Sequence, residues 1–140
     1  MTNEPRAPGT GSEGRFSYEG LDRVIHERAR LGILTSLATH PEGLLFTELR
    51  DLCALTDGNL SRHIETLEEA KLVEVWKSFK DRKPQTLCRL SAEGRVAFTA
   101  YLAELERVVS DAAAAMAESA ASKNPKGRSA ERHRKGWAPA

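Results

Sequence analysis

Apolar residues recur at Leu21, Val24, Ile25, Leu31, Leu34, Leu37 and Ala38, at three- and four-residue intervals. That is the period of a helix with one buried face, and it predicts a first helix from about residue 20 to Thr39. Pro41 and Gly43 in "THPEG" end it, because proline cannot continue a helix and glycine relaxes the turn. The apolar run at 44–46 is long enough only for a single edge strand. Thr47 has the chemistry of an N-cap and Glu48 suits a first turn, so a second helix is expected through "ELRDLCAL", with Leu49, Leu52 and Cys53 on one face. Thr56 or Asp57 caps a third helix that runs to about Ala70. Leu60, Ile64 and Leu67 form its stripe, and Leu72 packs just after it.

The period then changes from helical to alternating. Val73 to Phe79, "VEVWKSF", sets Val73 and Val75 on one side and Glu74 and Trp76 on the other. "KDRKP" is a tight polar connection and "QTLCRL" returns, which reads as a hairpin. Ser91 caps a last helix with the stripe Phe98, Tyr101, Leu102, Leu105, Val108, Val109 and Ala112. It is expected to fade in "AAAAMAESAA", where little is left to bury. The order is helix, short strand, helix, helix, strand, strand, long helix: mainly α with a small β-hairpin. Residues 1–18 are rich in Gly, Pro, Ser and Thr and are expected to be a disordered arm. Residues 19–117 form the ordered domain, and residues 118–140 are expected to be a disordered basic tail.

The second and third helices, separated by "ALTD", make a helix-turn-helix pattern. If Leu60, Ile64 and Leu67 point inward, a helix of 3.6 residues per turn sets Arg62 almost opposite them. Gly58, Ser61, Glu65 and Thr66 flank Arg62, and Asn59 and His63 stand at the shoulders. A helix that enters the major groove needs this arrangement: an apolar grip behind, slim N-terminal turns, and an Arg or Asn to reach base edges. The plainer reading is that Gly, Asn and Ser at a helix start are only capping residues.

Charge weighs between the two readings. The 140 residues carry a net charge of only +1, but unevenly. Residues 73–90 hold five basic and two acidic side chains, and residues 123–140 hold six and one. Lys77, Lys80, Arg82, Lys83 and Arg89 surround one turn, directly after the candidate reading helix. Such a hairpin suits the DNA backbone or the adjacent minor groove, although lysine also guards strand edges against aggregation. The tail "SKNPKGRSAERHRKGWAPA" suits a nonspecific DNA-binding arm and a solubilising end equally well.

At this point the chain resembles a one-domain winged-helix transcriptional regulator of the MarR and ArsR group. The residues that carry the resemblance are "RLGILTSLA", "FTELRDLCALTDGNLSRHIETLEEAKLVEV", "KDRKPQTLCRLSAEGR" and "AFTAYLAEL". It implies a winged helix-turn-helix fold. It implies that Thr56, Asp57, Gly58, Asn59, Ser61, Arg62, His63 and Glu65 face duplex DNA from the reading helix. Lys77, Lys80, Arg82, Lys83, Gln85 and Thr86 would face it from the wing. A two-fold dimer would be built from Leu21, Val24, Ile25, Phe98, Tyr101, Leu102, Leu105, Val108 and Val109. The expected function is that of a dimeric repressor on an inverted-repeat operator, and the alternative is a winged-helix adaptor that binds proteins.

Other chemistries find no support. Cys53 and Cys88 form no close motif, and His26, His40, His63 and His133 have no paired spacing, so no metal is expected and both thiols read as small buried hydrophobes. No phosphate loop, nucleophile elbow or carboxylate pair points to an enzyme or a cofactor. A polar N-terminus, two cysteines and no apolar run of about 20 residues suggest a cytoplasmic protein without a membrane partner.

Overall fold

A computed structural model of the chain describes residues 13–122. Four helices and a three-stranded antiparallel sheet follow in the expected order: α1 (Arg28–Ala38), β1 (Leu44–Leu45), α2 (Phe46–Cys53), α3 (Asp57–Glu69), β2 (Val73–Lys80), β3 (Lys83–Leu90) and α4 (Ala92–Ser122). The sheet order is β1-β3-β2.

The first helix starts later than its periodicity predicts. Residues 20–27 run as successive turns, because Asp22 captures the local amides. Its carbonyl accepts from Ile25 and His26, and its Oδ1 accepts from the Val24 N–H at 2.8 Å. A short acid that bonds its own backbone offers the chain an alternative to a helix. Glu27 then caps α1, its side chain accepting from the Arg30 N–H at 2.8 Å. Leu21, Val24 and Ile25 still pack on the core, Ile25 with no exposed surface. Their helical spacing therefore marked burial correctly and conformation wrongly.

The second helix also starts elsewhere. Leu45 is its N-cap, Thr47 lies inside its first turn, and the Glu48 carboxylate accepts from the Leu45 N–H at 2.8 Å. Ala54 in the left-handed region (φ 54°) stops it. Gly43 (φ 99°) admits β1 to the sheet, since a Cβ there would lie 2.9 Å from the Cys88 carbonyl oxygen. Leu44 then pairs with Cys88 and Leu45 with Leu87.

Of the two candidate caps of α3, Thr56 is the one used: its Oγ1 accepts from the Asn59 N–H at 3.1 Å. Leu60, Ile64 and Leu67 are buried as expected. The β2–β3 ladder is in register from Val73↔Leu90 to Lys80↔Lys83. It closes through Asp81 and Arg82, both at positive φ, the geometry that matches the twist of a two-residue hairpin.

Ser91 joins this hairpin to α4. Its Oγ accepts from the Gly94 N–H at 2.8 Å and donates to the Lys71 carbonyl at 2.7 Å. Gly94 packs so closely on the Leu72 carbonyl that a Cβ would stand 1.9 Å from its oxygen. The α4 helix does not fade in its Ala-rich run but continues to Ser122, past the expected boundary at residue 117. Alanine loses no side-chain entropy in a helix and needs no partner there. Residues 13–18, expected to be unstructured, hold a turn in which the Ser17 N–H donates to the Gly14 carbonyl. The rest of the expected arm (1–12), and the tail from residue 123, lie outside the described residues.

The compact body ends at Leu105. Its core joins Ile33, Leu34 and Leu37 of α1 to Leu49, Leu60, Leu67, Cys88, Phe98 and Tyr101. Three residues assigned to the dimer surface from the sequence belong to this core: Ile25, Phe98 and Tyr101 are 0%, 4% and 1% exposed. Phe98 and Tyr101 stack at 6.2 Å between ring centres, and the Tyr101 hydroxyl meets His26 Nδ1. The stripe read as surplus is thus partly consumed by the chain's own body, which includes the turns of residues 20–27. Among the described residues no helix is long and apolar enough to cross a membrane.

Candidate nucleic-acid interface

The buried stripe of α3 leaves its other face open. Asp57, Gly58, Asn59, Ser61, Arg62 and Glu65 are exposed, and Thr66 is half-buried with its hydroxyl on the Arg62 carbonyl at 3.1 Å. A Cβ built on Gly58 meets nothing within 4 Å, so this turn presents a thin profile to the outside. Arg62 is not a loose side chain. One terminal nitrogen donates to Asn59 Oδ1 at 2.9 Å, which aligns the guanidinium along the helix while its other N–H groups stay available.

Three of the residues named from the sequence have polar atoms engaged by other residues of the chain. The Thr56 hydroxyl is the helix cap. The Asp57 carboxylate bonds Arg50 at 3.0 Å, and Arg50 also holds Asp51, which raises its already high pKa. His63 is half-buried, with Nδ1 3.2 Å from an Arg30 terminal nitrogen. Arg30 in turn bonds the Val24 carbonyl. The Glu27 carboxyl lies beside them, held below its ordinary pKa first by the Arg30 backbone N–H and further by the charges of His63 and Arg30. The α3 helix is therefore tied to the start of α1 through His63, a link the sequence pattern did not show. An open groove of about 770 Å³ lies here, between α1, the α2–α3 turn and the Asn59–Arg62–His63 shoulder of α3.

The wing carries Lys77, Lys80, Arg82 and Lys83, all exposed and without an ion pair among the described residues. Gln85 and Thr86 are half-buried opposite Ser78 and Lys77. Arg89, counted among the wing's charges, is occupied: it bonds Glu74 at 3.3 Å and lies 4.4 Å over the Trp76 ring. Sequence reasoning passed over Arg30 and the wing aromatics. For Trp76 and Phe79 the signal was available, since each falls on one side or the other of an alternating strand that runs past the body.

Among the described residues no group of three or more His, Cys, Asp or Glu could hold a metal. Burial pushes the Cys88 thiol up to about 11, which keeps it protonated and inert.

Residues 29–109 match the family model described as a winged helix DNA-binding domain. A curated protein of Methanocaldococcus jannaschii, itself uncharacterized, is 40% identical over 60 residues, which are 43% of this chain and 65% of that one. The chain thus spans less than two thirds of that relative. Among solved structures, a transcriptional regulator homologue from Pyrococcus horikoshii is 29% identical with a TM-score of 0.60. That alignment covers 64% of this chain and 88% of the other. MepR of S. aureus, solved as a complex with DNA, is 16% identical with a TM-score of 0.56 over 77% and 89% of the two chains, a likeness of fold.

Proposed function

This chain belongs to the winged helix DNA-binding domain family, with a MarR-like fold, and on that premise we propose that it is a dimeric repressor that reads an inverted-repeat operator in duplex DNA. Winged-helix DNA binding and transcription regulation are the family's business; dimer, sequence specificity and repression are the finer reading. The observation that carries it is the outer face of α3, where Gly58 and Ser61 thin the helix around an Arg62 already aligned by Asn59. Arginine held in one plane matches the O6 and N7 acceptors of guanine, the commonest specific contact in the major groove. Ser61 and the α3 N-terminus would take phosphates, and Lys80, Arg82 and Lys83 would follow the flanking backbone. The DNA complex of MepR shows that a protein of this fold engages DNA.

Dimerisation is supported by a different part of the chain. Leu102, Val109 and Met116 recur every seventh residue along α4 and are 45%, 61% and 73% exposed. Leu105 and Ala112 fall between them at the three- and four-residue steps of a coiled-coil seam. A second copy of the same helix is the partner that such a repeat fits. This seam replaces Ile25, Phe98 and Tyr101 of the earlier expectation. Leu21, Val24 and Val108, each half-buried, stay as flanking contacts. A cytoplasmic location is part of the same proposal.

Selection from a pool of random duplexes at near-physiological salt tests the reading. An enriched inverted repeat with half-sites about one helical turn apart is expected. Retention with a steep salt slope and no motif would leave a nonspecific binder. No retention would favour the protein-binding adaptor.

A further inference from the structure

We infer that the wing is an apolar wedge for the DNA minor groove, with Phe79 as the inserted side chain and Pro84 as its backing; this rests on the DNA-binding reading above and adds a mode of contact to it. The face of the hairpin that begins with Val73, Val75, Cys88 and Leu90 is buried or half-buried where it packs on the body. Past the body the same face continues with Lys77, Phe79, Pro84 and Thr86. Phe79 stands across the ladder from Pro84 and is 74% exposed. The other face is treated differently: Trp76, 42% exposed, has the Arg89 guanidinium 4.4 Å over its ring. Of the two exposed wing aromatics, Phe79 is the more open and the one with no guanidinium over its ring.

Charge identifies what Phe79 meets. Lys77, Lys80, Arg82 and Lys83 surround it, against Asp81 alone. A second copy would bring one basic wing against another. A partner with rows of anions on both sides of an apolar slot fits, and the minor groove is one: phosphates line its walls and stacked base steps form its floor. Phenylalanine is among the side chains that enter such steps and open them. The two-residue turn at Asp81 and Arg82 holds Phe79 in a fully paired ladder, so little order remains to be imposed on binding. A wedge acts most easily at flexible pyrimidine–purine steps and least at stiff A-tracts.

The test uses the full chain and duplexes of about 30 base pairs recovered from the random pool, end-labelled for energy transfer. Each carries either a TA step or an A-tract in the flank, with 2-aminopurine at that step. The wild-type protein is expected to shorten the end-to-end distance, to brighten 2-aminopurine several-fold, and to prefer the TA flank by about tenfold. Phe79→Ala is expected to lose the bend, the fluorescence gain and the flank preference while still selecting the core site. Phe79→Trp should retain them. Thermal melting checks that both variants stay folded. A Phe79→Ala protein that bends DNA and discriminates flanks like the wild type would overturn the wedge and leave the DNA-binding reading intact. Failure of the wild type to retain any duplex would overturn both. Binding of the wild type, but not Phe79→Ala, to vesicles of anionic phospholipid with no bend in DNA would assign the tip to membranes and overturn the wedge.

Discussion

Replacing Gly94 by alanine isolates how much of this fold depends on one close approach. The added Cβ would lie 1.9 Å from the Leu72 carbonyl oxygen and 2.8 Å from its carbon, and the atoms it meets are backbone. To reach the 3.0 Å below which real Cβ contacts are essentially never found, α4 and the end of the α3–β2 connection must separate by 1.1 Å. Two hydrogen bonds span that junction, Ser91 N–H to Leu72 O at 3.0 Å and Ser91 Oγ to Lys71 O at 2.7 Å, and a third beside them joins Gly94 N–H to Ser91 Oγ at 2.8 Å. Each contributes about 0.5–1.5 kcal/mol net, and the last is also the helix cap. Alanine returns at most about 1 kcal/mol of helix propensity. The expected result is a loss of about 2–3 kcal/mol, which lowers the melting temperature by about 10–20 °C in a domain of this size. Circular dichroism melts of wild type, Gly94→Ala and Gly58→Ala measure it. Gly58 is the control: it is also helical, yet a Cβ there meets nothing within 4 Å, so Gly58→Ala should melt at the wild-type temperature or slightly above. A Gly94→Ala protein as stable as Gly58→Ala would refute the steric reasoning.

Four further outcomes can be checked. Arg62→Ala should weaken operator binding by about 1–3 kcal/mol and relax base preference. Lys83→Ala should weaken all sequences alike and reduce the salt slope by about one, and equal losses on specific and random duplexes for Arg62→Ala would remove α3 from base reading. The Glu27 carboxyl titrates below its ordinary 4.5, so its support of the α1 start is present above pH 4.5 and lost as pH falls through the lower folded value. The stability gap between wild type and Glu27→Gln should therefore be full at neutral pH and narrow as pH falls below 4.5, and a constant gap speaks against the cap. Val109→Glu with Met116→Glu alters only exposed positions and should yield a folded monomer by sedimentation; a persisting dimer would rule out the α4 seam. Cys53, partly exposed, should react with a thiol reagent in the native protein, while Cys88 should react only in denaturant; native labelling of Cys88 would contradict its burial.

Much of the fold was written in the spacing of apolar residues. The order of elements, the α3 stripe of Leu60, Ile64 and Leu67, the hairpin and the Ser91 cap all follow from local patterns, because burial and capping act within a few residues. So did the outward direction of Arg62, since one buried face dictates the opposite one. Periodicity reports which residues are buried, however, and not what backbone they adopt. That is why residues 20–27, with helical spacing, fold as turns around Asp22. Tertiary structure alone decided that Ile25, Phe98 and Tyr101 fill the chain's own core, that Arg30 reaches His63, that Arg89 is spent on Trp76, and that Gly94 and not Gly58 leaves no room for a Cβ. Each depends on a contact between segments distant in sequence, and a contact of that kind leaves no period behind.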